Sequence, residues 1–260
     1  MTALAAAATT RRTRRSPRRA LAWHPEWWVY AVAALAWFDL ELMSMSTMGA
    51  DQHAQHAMAM PGGSAAFLPS WANAWSDWVL MVVAMMLPVV APQVRTVAMR
   101  SLWTRRQRSS GAFLAGYVAV WVAVGGVLLA PLVALDVYPL GPAWLVGILL
   151  VAAGWQVSPP RRRLLRRCAS LRLGAADGRA ADVDCARAGL RSGVRCLATC
   201  GPLMLAMLAG HSVLLMAALL VVLLSERSRG PDPVRRAGRP REAWMVVGLA
   251  LVTGLAAALS

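Results

Sequence analysis

The sequence lacks the short motifs of several common enzyme classes. It contains no G-x-S-x-G nucleophile elbow, no H-E-x-x-H metalloprotease helix and no glycine-rich phosphate-binding loop. These absences argue against nucleophilic hydrolysis and against transport driven by ATP in this chain alone. A binding or transport role is therefore favoured over catalysis.

Lysine is absent and acidic residues are few. The 27 basic residues are all arginines and stand against 12 Asp and Glu, which gives a formal net charge of +15. The arginines fall in blocks between apolar runs, and this pattern is typical of membrane topology rather than of a nucleic-acid surface. We expect the lipid bilayer, and no nucleic acid, as a partner.

The apolar content predicts an all-α fold, a polytopic bundle of membrane helices. Of the 260 residues, 58% are hydrophobic, and the mean hydropathy is +0.51. We expect a disordered Arg-rich cytoplasmic tail over 1–22 and one membrane domain over 23–260. About six transmembrane helices are predicted, near residues 27–43, 75–94, 113–135, 143–157, 201–224 and 243–259.

The arginine distribution predicts the orientation of these spans. With a cytoplasmic N-terminus, 21 of the 27 arginines lie on the cytoplasmic side of a bacterial-type inner membrane. The loop 225–242 is an exception to the rule that arginine-rich loops lie on the cytoplasmic side. Its six arginines fall outside, while the polar loop 158–195 stays inside. A re-entrant segment at 143–157 is the alternative, but it leaves ten arginines outside.

The stretch 196–211 carries the main candidate site. Thiols, thioethers and imidazole are soft-to-borderline ligands that suit Cu(I). On one helix these side chains would share a stripe roughly 80° wide. The candidate metal ligands here are Cys196, Cys200, Met204, Met207 and His211. Alternatively, the residues only pack, or Pro202 starts a new helix near Gly201 and leaves Cys196 in a loop.

The second predicted span repeats this spacing with Asp77, Met81 and Met85, followed by Pro88 and Pro92. Proline-interrupted membrane helices often border a binding site. These three residues are therefore also candidate ligands, although Asp77 at a membrane edge could be only an interfacial charge. Cys168 is a further candidate thiol, and structural thiols without a ligand role remain the alternative.

The predicted external loop Met43–Met60 contains five methionines and the pair His53 and His56. Thioethers remain usable ligands in an oxidising compartment, and the histidines add nitrogen ligands. We expect this loop to collect copper, with a flexible linker as the alternative.

Five segments occur in an order that resembles a known family. They are WSDWVLMVVAMMLPVVAPQVR, GYVAVW, AGWQVSPPRRRLLRRC, AGLRSGVRCLATCGPLM and LLSER, within residues 70–260. The order is similar to the predicted metal-binding integral membrane proteins called domain of unknown function 2182. That family often has adjacent cysteines where this chain has Thr199 and Cys200. The resemblance implies metal binding.

Together these patterns predict a membrane protein that handles a soft metal ion, most simply copper. Transport, relay to a metalloprotein or metallochaperone, and metalloenzyme assembly all fit. A membrane thiol-disulfide oxidoreductase using Cys196 and Cys200 is one alternative. A non-catalytic scaffold subunit is the other.

Overall fold

The structure is a computed structural model that describes residues 24–54, 67–168, 178–209, 212–228 and 241–259. Within these ranges the chain is almost entirely helical and contains no strand, so the all-α prediction is confirmed. The predicted tail over 1–22 lies outside the described residues.

Eight α-helices and two 3₁₀ turns are seen in the described ranges. The α-helices are α1 (Trp27–Ala54), α2 (Phe67–Arg100), α3 (Arg106–Ala134), α4 (Pro142–Val157), α5 (Pro159–Cys168), α6 (Gly178–Leu205), α7 (Val213–Ser228) and α8 (Arg241–Leu259). The 3₁₀ turns are Trp103–Arg105 and Ala206–Ala209.

Three helical segments are long and apolar enough to cross a membrane. They are Leu68–Arg100, Trp103–Ala134 and Gly178–Ala209. A fourth forms if α4 and the start of α5 count as one span bent by 63°. The structure therefore supports three or four spanning segments in the part it describes, and the six predicted spans are not shown.

Helix α3 is the centre of the bundle, because α2 and α6 make the most extensive contacts with it. On the α2 side, indole N–H groups donate to carbonyl oxygens of α3, as from Trp75 to Val122 at 3.2 Å and from Trp78 to Trp121 at 3.0 Å. Gly125 leaves room for the Trp78 ring, which a Cβ there would strike.

On the other side, α3 and α6 run in the same direction with their backbones in close contact. A Cβ on Gly189 would strike the carbonyl oxygen of Phe113, and a Cβ on Gly116 would strike that of Ala186. Small residues permit this approach of two membrane-type helices. This close contact, the seam between α3 and α6, fixes how α6 presents its side chains to α3.

The prediction of a polar loop over 158–195 is wrong for the residues described there. Residues 159–168 form α5, and 178–195 form the first part of α6. The buried positions Ala181, Cys185, Ala188 and Ser192 recur at helical spacing, while Arg187 and Arg191 are exposed on the opposite face. The buried face consists of small side chains, which contribute little to the hydropathy. The arginines therefore made the segment look like a polar loop.

The predicted span over 201–224 is not a single helix in the structure. Helix α6 ends at Leu205, and α7 begins at Val213. Arg161 contacts both Thr199 in α6 and Glu226 in α7. An unbroken helix would separate Thr199 from Glu226 by about 40 Å. The chain therefore reverses direction between α6 and α7, forming a hairpin.

Candidate metal centre

The two thiols of Cys196 and Cys200 lie next to each other on one buried face of α6. Their side chains are 0% and 4% exposed, neither forms a disulfide, and they interact with each other. The Tyr117 hydroxyl of α3 is hydrogen-bonded to the Cys196 Sγ at 3.0 Å. The Thr199 hydroxyl lies 3.6 Å from the Cys200 Sγ. The seam between α3 and α6 thus supplies a polar partner for a thiol pair that is otherwise in the apolar core.

Two thioethers continue the buried face. Met204 lies in the last turn of α6 and Met207 in the following 3₁₀ turn, and both are 0% exposed. Pro202 lies inside α6, so the alternative that placed Cys196 in a loop before a new helix is wrong. The hypothesis of one helix from Cys196 to His211 is wrong too, because α6 ends first. His211 itself lies outside the described residues.

Pro202 removes one backbone hydrogen bond of α6 beside the thiols. Proline has no N–H, so the Ala198 carbonyl four residues earlier loses its helical partner. The Trp155 indole N–H of α4 donates to this oxygen at 3.0 Å. Arg161 of α5 donates from Nε to the next carbonyl, that of Thr199, also at 3.0 Å. The bend between α4 and α5 therefore supplies both donors to the proline-containing turn.

Charged groups surround this end of the site. The Arg161 guanidinium is 1% exposed and pairs in a fork with Glu226, at 2.5 and 2.6 Å. Arg161 interacts electrostatically with Cys200, and Arg227 interacts with both Cys196 and Cys200. Arg161 and Glu226 were not predicted as part of the site, because nothing in an Arg-rich segment distinguishes an arginine that is buried from one that is exposed.

The candidates on α2 lie in the same apolar core as the thiols. Met81 and Met85 are 0% exposed and belong to the cluster that contains Cys196, Cys200, Met204 and Met207. Asp77 is half-buried. Burial and the Asp77 carboxylate raise the pKa of Tyr138, in the connection between α3 and α4, to about 12. This places Asp77 near Tyr138.

For the remaining candidates, the structure gives at most a position along a helix. Cys168 is the last residue of α5. The loop predicted over Met43–Met60 is wrong for residues 43–54, which extend α1, so His53 lies in that helix. His56 lies outside the described residues.

The donor set can be compared with the needs of a metal ion. Among the described residues, no group of three or more His, Cys, Asp or Glu is positioned to hold one. A tetrahedral zinc site built from those residue types is thus not present in that part of the chain. Two thiols followed by two thioethers fit a soft ion such as Cu(I).

Fold and site together define an all-helical protein with a buried soft-sulfur face. The model of the copper chaperone family PpoB2 matches residues 75–256, and the chain belongs to this family. No curated protein and no solved structure matches the chain. The match supports the prediction of a copper-related function, but it does not confirm the family name that the resemblance suggested.

Proposed function

We propose that this protein is an integral membrane copper chaperone that holds Cu(I) between Cys196 and Cys200, with Met204 as a third ligand. Met207 extends the same face beyond the end of α6, into the following 3₁₀ turn. The ion is cargo, received at one end of this face and passed to a partner metalloprotein or metallochaperone. Copper handling agrees with the family, while the ligands and the relay are our inference.

The observation that supports this proposal is the continuous buried face of four sulfur side chains. From Cys196 to Met207 it extends roughly 16 Å along the helix axis. Residues four apart on a helix are neighbours, so adjacent sulfurs can share one ion. Cu(I) can then move along the face by exchanging one sulfur ligand at a time.

The oxidoreductase alternative fits the burial of the thiols less well. Disulfide exchange requires a thiolate to reach a sulfur of a partner, so access limits its rate. Cys196 and Cys200 are both buried against α3 and the core. A small ion can reach such thiols more easily than a partner disulfide can.

A membrane location supports the same proposal from another direction. The three long apolar segments of α2, α3 and α6 are suited to a bilayer. The α6–α7 hairpin also brings Arg227 back toward Arg161, whereas a single span would place the two arginines on opposite sides. With the hairpin, Arg227 lies on the cytoplasmic side, as expected for arginines that flank membrane helices.

The test is Cu(I) binding by full-length protein in detergent, in competition with a chromogenic Cu(I) chelator. We expect the Cys196→Ser, Cys200→Ser double variant to lose at least about a hundredfold in affinity, equivalent to about 2.7 kcal/mol. Cys185→Ser is the matched control, since Cys185 is another buried free thiol of α6. It should bind Cu(I) as the wild type does.

Sulfur coordination measured by X-ray absorption should fall in the double variant and stay unchanged in the control. If the double variant binds Cu(I) with unchanged affinity, the proposed site is wrong. If both variants lose affinity equally, the loss reports damage to α6 rather than removal of ligands.

A further inference from the structure

Arg161 is a cation buried in a mainly apolar protein. Its side chain is 1% exposed, whereas Arg163 on the same helix is exposed. Burying a guanidinium is costly unless a carboxylate and further hydrogen bonds compensate it. The fork to Glu226 and the bond to the Thr199 carbonyl provide both. Because burial of this cation is energetically costly, we expect a role of Arg161 beyond packing.

The position of Arg161 connects three helices at the thiol pair. The residue lies in α5, pairs with α7 and donates to the backbone of α6 at the residue before Cys200. That backbone is the part of α6 that Pro202 weakens. A rigid guanidinium fork holds such a geometry better than the single ammonium of lysine would.

Positive groups lie near the thiols at this end. Arg161 and Arg227 both interact electrostatically with Cys200, and Glu226 pairs with Arg161. Cu(I) bound by two thiolates carries a net charge of −1. In a low-dielectric interior, nearby positive groups favour this anionic, metal-bound form.

We propose that Arg161 is a positioning residue of the copper site: held by Glu226, it fixes the proline-containing turn of α6 and orients Cys200 toward Cys196. With Arg227 it also provides positive charge near the metal-thiolate group. This inference rests on the copper site proposed above. It adds that residues of α5 and α7 hold that site in place. It predicts that loss of the ion pair leaves the fold intact but lowers the affinity for copper.

The experiment replaces both members of the pair, Arg161→Met with Glu226→Met, in the full-length protein. Apolar substitution of a whole buried pair usually preserves stability, whereas removal of one partner leaves a buried charge. The melting temperature of the metal-free protein is measured beside the Cu(I) dissociation constant at a fixed pH and the number of sulfur ligands by X-ray absorption. Arg163→Met is the matched control, since it removes the same charge from an exposed position on the same helix.

We expect the double variant to keep its melting temperature, lose about tenfold in Cu(I) affinity and show fewer sulfur ligands. The Arg163 variant should match the wild type. A folded double variant whose affinity changes by less than threefold overturns the inference. If the double variant does not fold, Arg161→Lys takes its place, because it keeps the charge but not the fork, and an affinity change of less than threefold again overturns the inference.

The serine variants of Cys196 and Cys200 separate the two proposals. If they bind Cu(I) normally, the copper site itself is wrong. If they lose binding while the Arg161 and Glu226 variants keep it, only the positioning role is wrong.

Discussion

Helices α2 and α6 carry sulfur side chains at the same spacing and both pack on α3, but they are held in different ways. Helix α2 meets α3 through tryptophan rings, with Trp78 lying over Gly125. Helix α6 meets α3 backbone to backbone, with Gly189 against Phe113. The second seam leaves little freedom for adjustment, and it is the seam that positions a polar group at a thiol.

The two helices respond differently to proline as well. In both, the carbonyl four residues before a proline accepts an indole N–H from another helix: Trp37 donates to Ala84 before Pro88, and Trp155 donates to Ala198 before Pro202. Yet α2 continues through its prolines, whereas α6 ends soon after Pro202. Satisfying the freed carbonyl therefore does not decide whether a helix continues.

The sulfur faces differ in their polar partners. Cys196 and Cys200 have Tyr117, Thr199 and nearby guanidinium groups, whereas Met81 and Met85 lie in the apolar core. Equal spacing along two helices thus does not give equal chemistry. Three experiments test how α6 and its surroundings differ from α2.

The largest expected effect is in the labelling of the end of α7. The side of the membrane on which it lies distinguishes the α6–α7 hairpin from the predicted six-span topology. Cysteines introduced at Arg163 and at Arg227 should react with a membrane-impermeant maleimide from the same side, because Arg161 joins Glu226 across the hairpin. We expect no labelling of either in intact cells and labelling of both after permeabilisation. External labelling at 227 alone would restore a single span over 201–224.

The next largest effect concerns the two seams. Gly189→Ala should destabilise the protein by about 3 kcal/mol, because the added Cβ meets a backbone oxygen that cannot move away. Gly125→Ala should cost less, about 2 kcal/mol, because the added Cβ meets the Trp78 side chain, which has rotatable bonds, rather than a backbone atom. Gly154→Ala is the control, with open space around the new Cβ. Denaturant unfolding in detergent measures all three, and equal losses at 189 and 125 would remove the distinction between the seams.

The smallest expected effect concerns the thioethers. Met204→Leu should weaken Cu(I) binding about tenfold, or about 1.4 kcal/mol, because leucine keeps the volume but removes the ligand. Met85→Leu, at an equally buried position of α2, should weaken it by about threefold at most. Met216→Leu in α7 serves as the packing control. A greater loss for Met85 than for Met204 would move the site from α6 to α2.

Much of the proposed copper-binding face could be predicted, because ligand type and helical spacing are both determined by the local sequence. Cys196, Cys200, Met204 and Met207 do lie on one buried face. Arg161 and Glu226 could not be predicted as its neighbours, because they come from segments far apart along the chain. The helix over 178–195 was missed since its buried positions are small residues whose hydropathy the arginines outweigh.

By itself, the sequence determined the helical class, the apolar segments and the chemical softness of the candidate ligands, since these follow from composition and local periodicity. Only the tertiary structure decided where the chain turns back and which charges meet the thiols. The reversal after Leu205 and the fork from Arg161 to Glu226 depend on contacts among α5, α6 and α7. Such contacts have no local signature, because a buried arginine and an exposed one look the same until the helices pack.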